Sequence, residues 1–363
     1  TIKAPDDMPA TWDEWREQAM AGNAHLDIAL NTDTEGPDAG VDVVGTPANK
    51  NTFLTDKTAE ALELEKEDPT VDDALYALSQ KTQPAELHVL VGSGVKVTAK
   101  KGQSTVEATA DGTGWAILYL AEFGEWTLTA PSLTEQKFTI DAIAVFYTAM
   151  QTLEKLDWAI IGQVAEMGLA SKLWKIGDLK SLSINGETVQ AQIIGFDHDT
   201  KQAGGTAGIT FQLQDCMKTT AQMETTATNA NGWEGCQMRK TTLPAIFKQL
   251  PATLQSAIKT VNKVAATRGN QTGLTTSHDQ LFLLSEIEIF GATTYSVAGE
   301  GKQYAFYAAG NSTIKKVNSS AYYWWERSPY RDDTNSFCYV SSSGGAVSNF
   351  ASTSFGVSFG FCV

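Results

Sequence analysis

Trp324-Trp325-Glu326-Arg327-Ser328-Pro329, and the run to Val363 that it opens, decide how the rest of the chain is read. Between Ser328 and Val363 the only charged residues are Arg331, Asp332 and Asp333. The remainder is mainly Ser, Gly, Asn and Thr, interleaved with Tyr330, Phe337, Tyr339, Phe350, Phe355, Phe359 and Phe361. Rigid amphipathic rings offer contact area at low entropic cost, and small polar residues offer adaptable hydrogen bonds, as in antibody paratopes. The same composition suits an ordinary serine-rich β-hairpin or a low-complexity loop, and composition alone weighs the two evenly.

Working back from that segment, the chain is mixed from Thr152 onward. Leu156, Ile160, Val164 and Met167 recur near a 3.6-residue period, which predicts an amphipathic helix over Leu156–Met167 closed by Gly168. Strands are expected at Lys172–Ile176, Leu179–Ile184 and Val189–Phe196, with Asn185-Gly186 as a hairpin turn. A second helix is expected over Leu250–Thr267, with Leu254, Ile258, Val261 and Val264 facing the core. Short strand and loop follow Asn270. This order fits an α+β domain rather than a βαβ wind.

Residues 84–148 change period. Leu87–Val91, Val95–Val97, Thr105–Thr109, Trp115–Leu120, Trp126–Thr129 and Phe138–Ile140 read as strands, punctuated by Gly92-Ser93-Gly94, Lys101-Gly102, Asp111-Gly112 and Phe123-Gly124. Short, evenly spaced strands predict a small antiparallel β-sandwich. In residues 1–83 short helices are expected at Pro9–Met20, after the cap Thr11, and at Asp56–Glu67, after the cap Thr55. A third begins at Thr70, and a Gly/Pro/Asp/Asn loop runs over Asn31–Asn51. Bundling about a threefold axis would bury their apolar stripes, as would packing on their own chain.

Composition narrows the function classes. A 42% hydrophobic content supports a sizeable core, and 363 residues suit two or three domains. The net charge of −15 argues against a nucleic-acid partner and against docking on anionic lipid. No apolar run is long enough for membrane insertion. Four cysteines, Cys216, Cys236, Cys338 and Cys362, are too few for a disulfide scaffold, and none forms a CxxC pair.

The search for chemistry is thin. His25, His88, His198 and His278 lack HxxxH or HExxH spacing, and no GxSxG, Walker or GxGxxG motif occurs. Asp197-His198-Asp199 is the most metal-like run, its two aspartates expected on one side with the imidazole turned away, but it supplies few ligands, and a structural hydrogen-bond role is favoured. Ser277-His278-Asp279 has the letters of a triad, yet sequence neighbours rarely form one in space. Cys338, in Phe337-Cys338-Tyr339-Val340, reads as a buried thiol. Glu286 and Glu288 are expected on one face of a strand over Leu284–Phe290. The expectation is no catalytic residue, no metal and no cofactor.

Residues 152–363 resemble the C-type-lectin-like domain that recurs in gut phage tail proteins and in targets of diversity-generating retroelements. The matching motifs are Ile193-Ile194-Gly195-Phe196-Asp197-His198-Asp199, Gly208-Ile209-Thr210-Phe211, Gly232-Trp233 with Met238-Arg239, and Leu281-Phe282-Leu283-Leu284-Ser285-Glu286. Gly299-Glu300-Gly301 with Gln303-Tyr304, Trp324–Pro329, and Gly356-Val357 before Gly360-Phe361-Cys362 continue the match. Glu326 departs from the pattern, which more often has leucine or isoleucine there. The resemblance implies a diversified surface over about 322–355, presenting Tyr322, Tyr323, Tyr330, Asp332, Asp333, Ser336, Tyr339, Ser341, Ser343, Val347, Ser348, Asn349, Phe350, Ser352, Ser354 and Phe355. Phe337, Cys338, Val340, Gly344, Ala346, Ala351, Gly356 and Val357 would be scaffold, and Trp233, Arg239, Trp324 and Trp325 core.

Two weaker resemblances complete the expectation. Asp111-Gly112-Thr113-Gly114 followed by Gly124-Glu125-Trp126-Thr127 resembles immunoglobulin-like spacer modules of bacterial and phage surface proteins. Gly45–Leu54, followed by Thr70–Leu75, resembles a segment near the start of phage tail-fibre and baseplate proteins. Together they imply a multidomain protein: a short N-terminal helical attachment arm (1–83), an immunoglobulin-like β-sandwich spacer (84–150) and an α+β lectin-like tip (151–363). The implied function is a phage-tail receptor-binding protein that recognises a host cell-surface protein or glycan. It would act as a homotrimer, joined to other tail or baseplate proteins through its N-terminus and carried on the virion. Thr1–Trp12 lacks the basic and apolar regions export needs, so release by lysis is expected. The rivals are a formylglycine-generating-type enzyme, with Cys338 and Cys362 in one accessible reactive site, and a bacterial surface adhesin.

Overall fold

The computed structural model describes residues 84–363, which fall within one compact unit. The arm expected over 1–83, with its helices and its baseplate-like segment, lies outside the described residues. The described part is rich in β-strand, arranged in several small, mostly antiparallel sheets with seven short helices.

The first module is built from β1 (Ala85–Leu90), β2 (Lys96–Lys101), β3 (Ser104–Thr109), β4 (Trp115–Leu120), β5 (Gly124–Thr129), β6 (Gln136–Ile140) and β7 (Val145–Ala149). They form two sheets, ordered β4-β1-β7 and β3-β2-β5-β6. Alternation puts Leu87, Val89 and Leu118 of one sheet against Val97, Ala99, Trp126 and Leu128 of the other, all buried in one core. The expected strands appear, and β7 is added: it pairs parallel to β1, so the sandwich is mixed rather than antiparallel. Val145-Phe146-Tyr147-Thr148-Ala149 carries no apolar/polar alternation because both its faces are only half covered, which hid the strand.

The second module begins with α1 (Trp158–Glu166) and α2 (Ala170–Leu173). Asp157 caps α1 by accepting from the Ala159 amide at 2.8 Å, so the helix starts later than the apolar spacing suggested. Its buried face is Trp158, Ile161, Val164 and Ala165, while Met167 is exposed. The strand expected at Lys172–Ile176 is instead the end of α2 and an extended link. A five-stranded antiparallel sheet follows, ordered β13 (Leu281–Phe282), β19 (Gly360–Cys362), β10 (Ile209–Leu213), β9 (Glu187–Phe196) and β8 (Leu179–Ile184). The β8–β9 turn places Asn185 and Gly186 at φ 47° and 81°, the left-handed pair a tight hairpin needs. Trp158, Phe211 and Phe361 interlock behind this sheet.

Small helices α3 (Gly232–Gly235), α4 (Leu243–Phe247) and α5 (Ala252–Ala257) lead into the hairpin β11 (Val261–Ala266) and β12 (Leu274–Asp279). The helix expected over Leu250–Thr267 therefore ends at Ala257. Val261, Lys263 and Ala265 are buried at alternate positions, a period-2 pattern that β-branched residues favour. The strand expected around Glu286 and Glu288 is helix α6 (Glu286–Phe290), opened by a full capping box between Ser285 and Glu288. After α7 (Ala305–Ala308), the pair β14 (Lys315–Val317) and β15 (Ser320–Tyr322) precedes a three-stranded sheet. That sheet is β16 (Trp324–Pro329), β17 (Ser336–Val340) and the edge strand β18 (Ala346–Phe350).

A buried ionic network ties these pieces together. Arg327 is fully buried; its guanidinium binds both Glu288 oxygens and donates to the carbonyls of Val264, Leu283 and Glu300. Lys263 donates to Asp199 at 2.8 Å, to Glu288 at 2.7 Å and to the Tyr304 hydroxyl at 3.0 Å. Burial opposes the charge on Asp199, but the Lys263 ammonium outweighs it and holds the carboxyl well below its usual range. Asp197 and Asp199 do not share a side as expected: Asp197 is exposed in a left-handed turn, and Asp199 points inward. The His198 ring stacks on Tyr304 with centroids 4.0 Å apart.

Glu326 has no such compensation. It is fully buried, neither carboxylate oxygen has a hydrogen-bond partner, and burial with the nearby Glu286 and Glu300 charges pushes it well above the carboxylate range. In the unfolded chain this group ionises in the ordinary range; in the fold it stays protonated. Stability therefore falls as pH rises from about 4.5 until the folded group ionises, by up to about 1.4 kcal/mol per pH unit. Glu326→Leu removes this term. Denaturant unfolding at pH 5 and pH 8 should show the variant gaining over the parent, with a distinctly larger gain at pH 8. A gain independent of pH would contradict the assignment of a neutral buried carboxyl.

Candidate functional site

The β16–β17–β18 sheet carries the segment expected to recognise a ligand, and its floor is Trp324 and Trp325, both fully buried. Each indole N–H reaches an irregular backbone carbonyl, Thr313 at 3.0 Å and Ala221 at 2.9 Å, so the rings are fixed without sheet partners. Phe355 packs on Trp325 with centroids 4.7 Å apart and on Tyr339 at 4.6 Å, and Tyr323 closes over Phe355 at 5.2 Å. Ala221 and Phe355 exchange backbone hydrogen bonds, which fastens this end of the segment to the Thr219–Thr228 stretch.

The structure divides the expected outward set. Tyr339 and Phe355 are only 8% and 7% exposed, so they are the packed underside of the face rather than its contact surface. Ser336 is also buried, its hydroxyl and amide both donating to Asp333. The reason is packing: Tyr339 lies against Tyr323, Trp325 and Phe355, Phe355 lies on Trp325, and all five residues of β17 are covered. Tyr323 and Phe350 remain outside, at 37% and 54% exposure. Asp332, Ser343 and Ser354 are exposed, and Tyr322, Tyr330, Asp333, Ser341, Val347, Ser348, Asn349 and Ser352 are half-buried. Most of the outer side chains are neutral and carry hydroxyl or amide groups; the acids are confined to the 330–335 loop.

Two loops shape the rim. At the β17–β18 turn, the Ser341 hydroxyl accepts from the Gly345 amide at 3.0 Å, and Gly344 adopts φ 88°. The loop Tyr330–Asn335 is held by Asn229, a residue that no local pattern singles out. Fully buried, Asn229 donates to the carbonyls of Asp333 at 3.0 Å and Ser336 at 2.8 Å, and accepts from the Gly269 amide at 3.1 Å. A Cβ on Gly269 would sit 1.6 Å from the Asp333 carbonyl oxygen. Backbone this close to backbone is legible only in three dimensions.

The other candidates serve structure. Asp279 is buried and accepts from Trp233, Ser277 and Arg239, while His278 is exposed and bonds Asn262. Arg239, expected as core, is instead half-buried beside Asp279. Cys338 and Cys362 are both fully buried, and burial pushes their thiols well above the ordinary range. An enzyme needing an accessible thiolate draws no support from them. Among the described residues no group of three or more His, Cys, Asp or Glu side chains could hold a metal ion, and no helix is long and apolar enough to cross a membrane.

A family described as a domain of unknown function (DUF6273) matches residues 207–363. The match takes in Glu288, Arg327 and the whole β16–β18 sheet, and leaves out Asp199 and α1. No curated protein and no solved structure matches the chain.

The division into underside and outer face predicts a contrast in stability. Phe355→Ala should cost about 3–5 kcal/mol in denaturant unfolding, as for a large ring removed from a packed site. Tyr323→Ala and Phe350→Ala should stay within about 1 kcal/mol of the parent. Equal losses for all three would dissolve the distinction.

Proposed function

We propose that the chain is a non-covalent recognition protein, whose ligand face is made by the edge strand β18, by Tyr323 and by the two rim loops, over a buried β16 and β17. The observation that supports it most is the pairing of exposed Tyr323 and Phe350 with neutral hydroxyl and amide side chains on a backbone locked from beneath. A large ring left in water is unfavourable unless a partner covers it, and each would contribute about 1.5–3 kcal/mol on burial. Preorganised loops reduce the ordering cost that binding otherwise carries.

In this reading the tip is a C-type-lectin-like domain and the sandwich an immunoglobulin-like spacer. The chain is the receptor-binding protein of a phage tail, engaging a host-surface protein or glycan as a homotrimer whose avidity lifts modest single-site affinity. Retroelement diversification would act on the outer positions, with Ser336, Tyr339 and Phe355 changing least because they are packed.

The test is a glycan and surface-protein binding screen of the full chain beside Tyr323→Ala and Phe350→Ala. A specific ligand should emerge and bind each variant at least about tenfold more weakly. Sequencing sibling clones should place variation at Tyr322, Tyr323, Ser341, Ser343, Asn349, Phe350, Ser352 and Ser354. Undiminished binding by both variants would remove this face from the function, and identical tails in every sibling would remove diversification.

A further inference from the structure

A concavity outside the proposed face has a volume of about 460 Å³ and lies between α4 and the β12–β13 connection. None of its lining residues belongs to 322–355. One wall is apolar, made by buried Leu243 and Leu281 with half-buried Phe247. The same helical stretch also brings cations to the lining: Lys240 and Lys248 are exposed, and no carboxylate of the described residues lies within ion-pair distance of either. At the base, Arg239 is committed to Asp279, the Glu234 carbonyl and the His278 carbonyl through three N–H groups. A guanidinium has five, so two remain to donate.

Asp279, also in the lining, offsets the Arg239 charge through their ion pair, so the excess positive charge here is that of Lys240 and Lys248. The chain as a whole is strongly acidic, yet this pocket gathers two ammonium groups that have no carboxylate partner among the described residues, and a guanidinium with spare donors, beside apolar side chains. A solvated surface lysine pair needs no adjoining concavity, and an apolar crevice needs no cations. Their coincidence is what a ligand with a charged head and an apolar body requires, and the volume falls within the range of small-molecule sites.

We propose that this pocket binds a small amphipathic anion, a carboxylate, phosphate or sulfate head carried on a short aliphatic or aromatic body. The head is held by Lys240, Lys248 and the spare Arg239 donors, and the body lies on Leu243, Phe247 and Leu281. Binding here is independent of the recognition face, so either can fail without the other.

Isothermal titration of the full chain with octanoate, octyl phosphate, octyl sulfate and uncharged octanol tests it. At least one of the three anions should bind saturably, with octanol at least about tenfold weaker. The Lys240→Glu/Lys248→Glu double variant, whose positions are exposed, should lose at least about tenfold in anion affinity while octanol is unchanged. Phe247→Ala should weaken anion and alcohol alike. Which anion binds tightest assigns the head group. Absence of saturable binding by all three anions, equal binding of octanol, or full anion affinity in the double variant would overturn the proposal.

Discussion

Everything in the second module is arranged around the buried contact between Arg327 and Glu288, extended through Lys263 to Asp199 and Tyr304. Taking these charges out of water costs several kcal/mol each, and only complete pairing with further hydrogen bonds offsets it. The offset is nearly complete here. Arg327 reaches carbonyls from β11, from the link between β13 and α6 and from Glu300, so one side chain fixes three segments that share no continuous sheet. Removal of one partner would strand a buried charge, which makes the arrangement specific as well as stable. Helices this short could not hold the geometry by themselves.

That internal bracing frees the outer surface. Because Trp324, Trp325, Tyr339 and Phe355 supply the packing and Asn229 supplies the loop's hydrogen bonds, the exposed positions of 322–355 carry little of the stability. A scaffold of this kind tolerates exchange at its rim. Glu326 is the exception inside: a carboxyl with no partner, one strand position from the best-satisfied arginine in the molecule.

Much was legible without coordinates. The period-2 runs of the first module and the Asn185-Gly186 turn state their structure locally, because alternation and left-handed turns are properties of a few adjacent residues. Trp233, Trp324 and Trp325 read as core because an indole N–H can satisfy irregular backbone, and all three are fully buried. Misreadings came where two periods fit the same letters. Val261 and Val264 suit a helix stripe, but Lys263 had to face Asp199 and Glu288, and the strand won. Ser285 to Glu288 alternates like a strand, yet forms a capping box once Glu288 is needed inward.

The segment proposed for recognition shows the same boundary. Its composition, rings among serines, glycines and asparagines, was fixed by the letters alone, as were the turn glycines and the mostly uncharged character of its rim. Which rings face water was not. Tyr339 and Phe355 are chemically indistinguishable from Tyr323 and Phe350, and only their packing on Trp325 and on each other, with the hydrogen-bonded pairing of Phe355 with Ala221, buries the first two. Local patterning encodes elements because neighbours along the chain enforce it. Exposure is settled by contacts between separate elements, from Trp325 on β16 to Ala221 far back in the chain, and that information exists only once the chain has closed on itself.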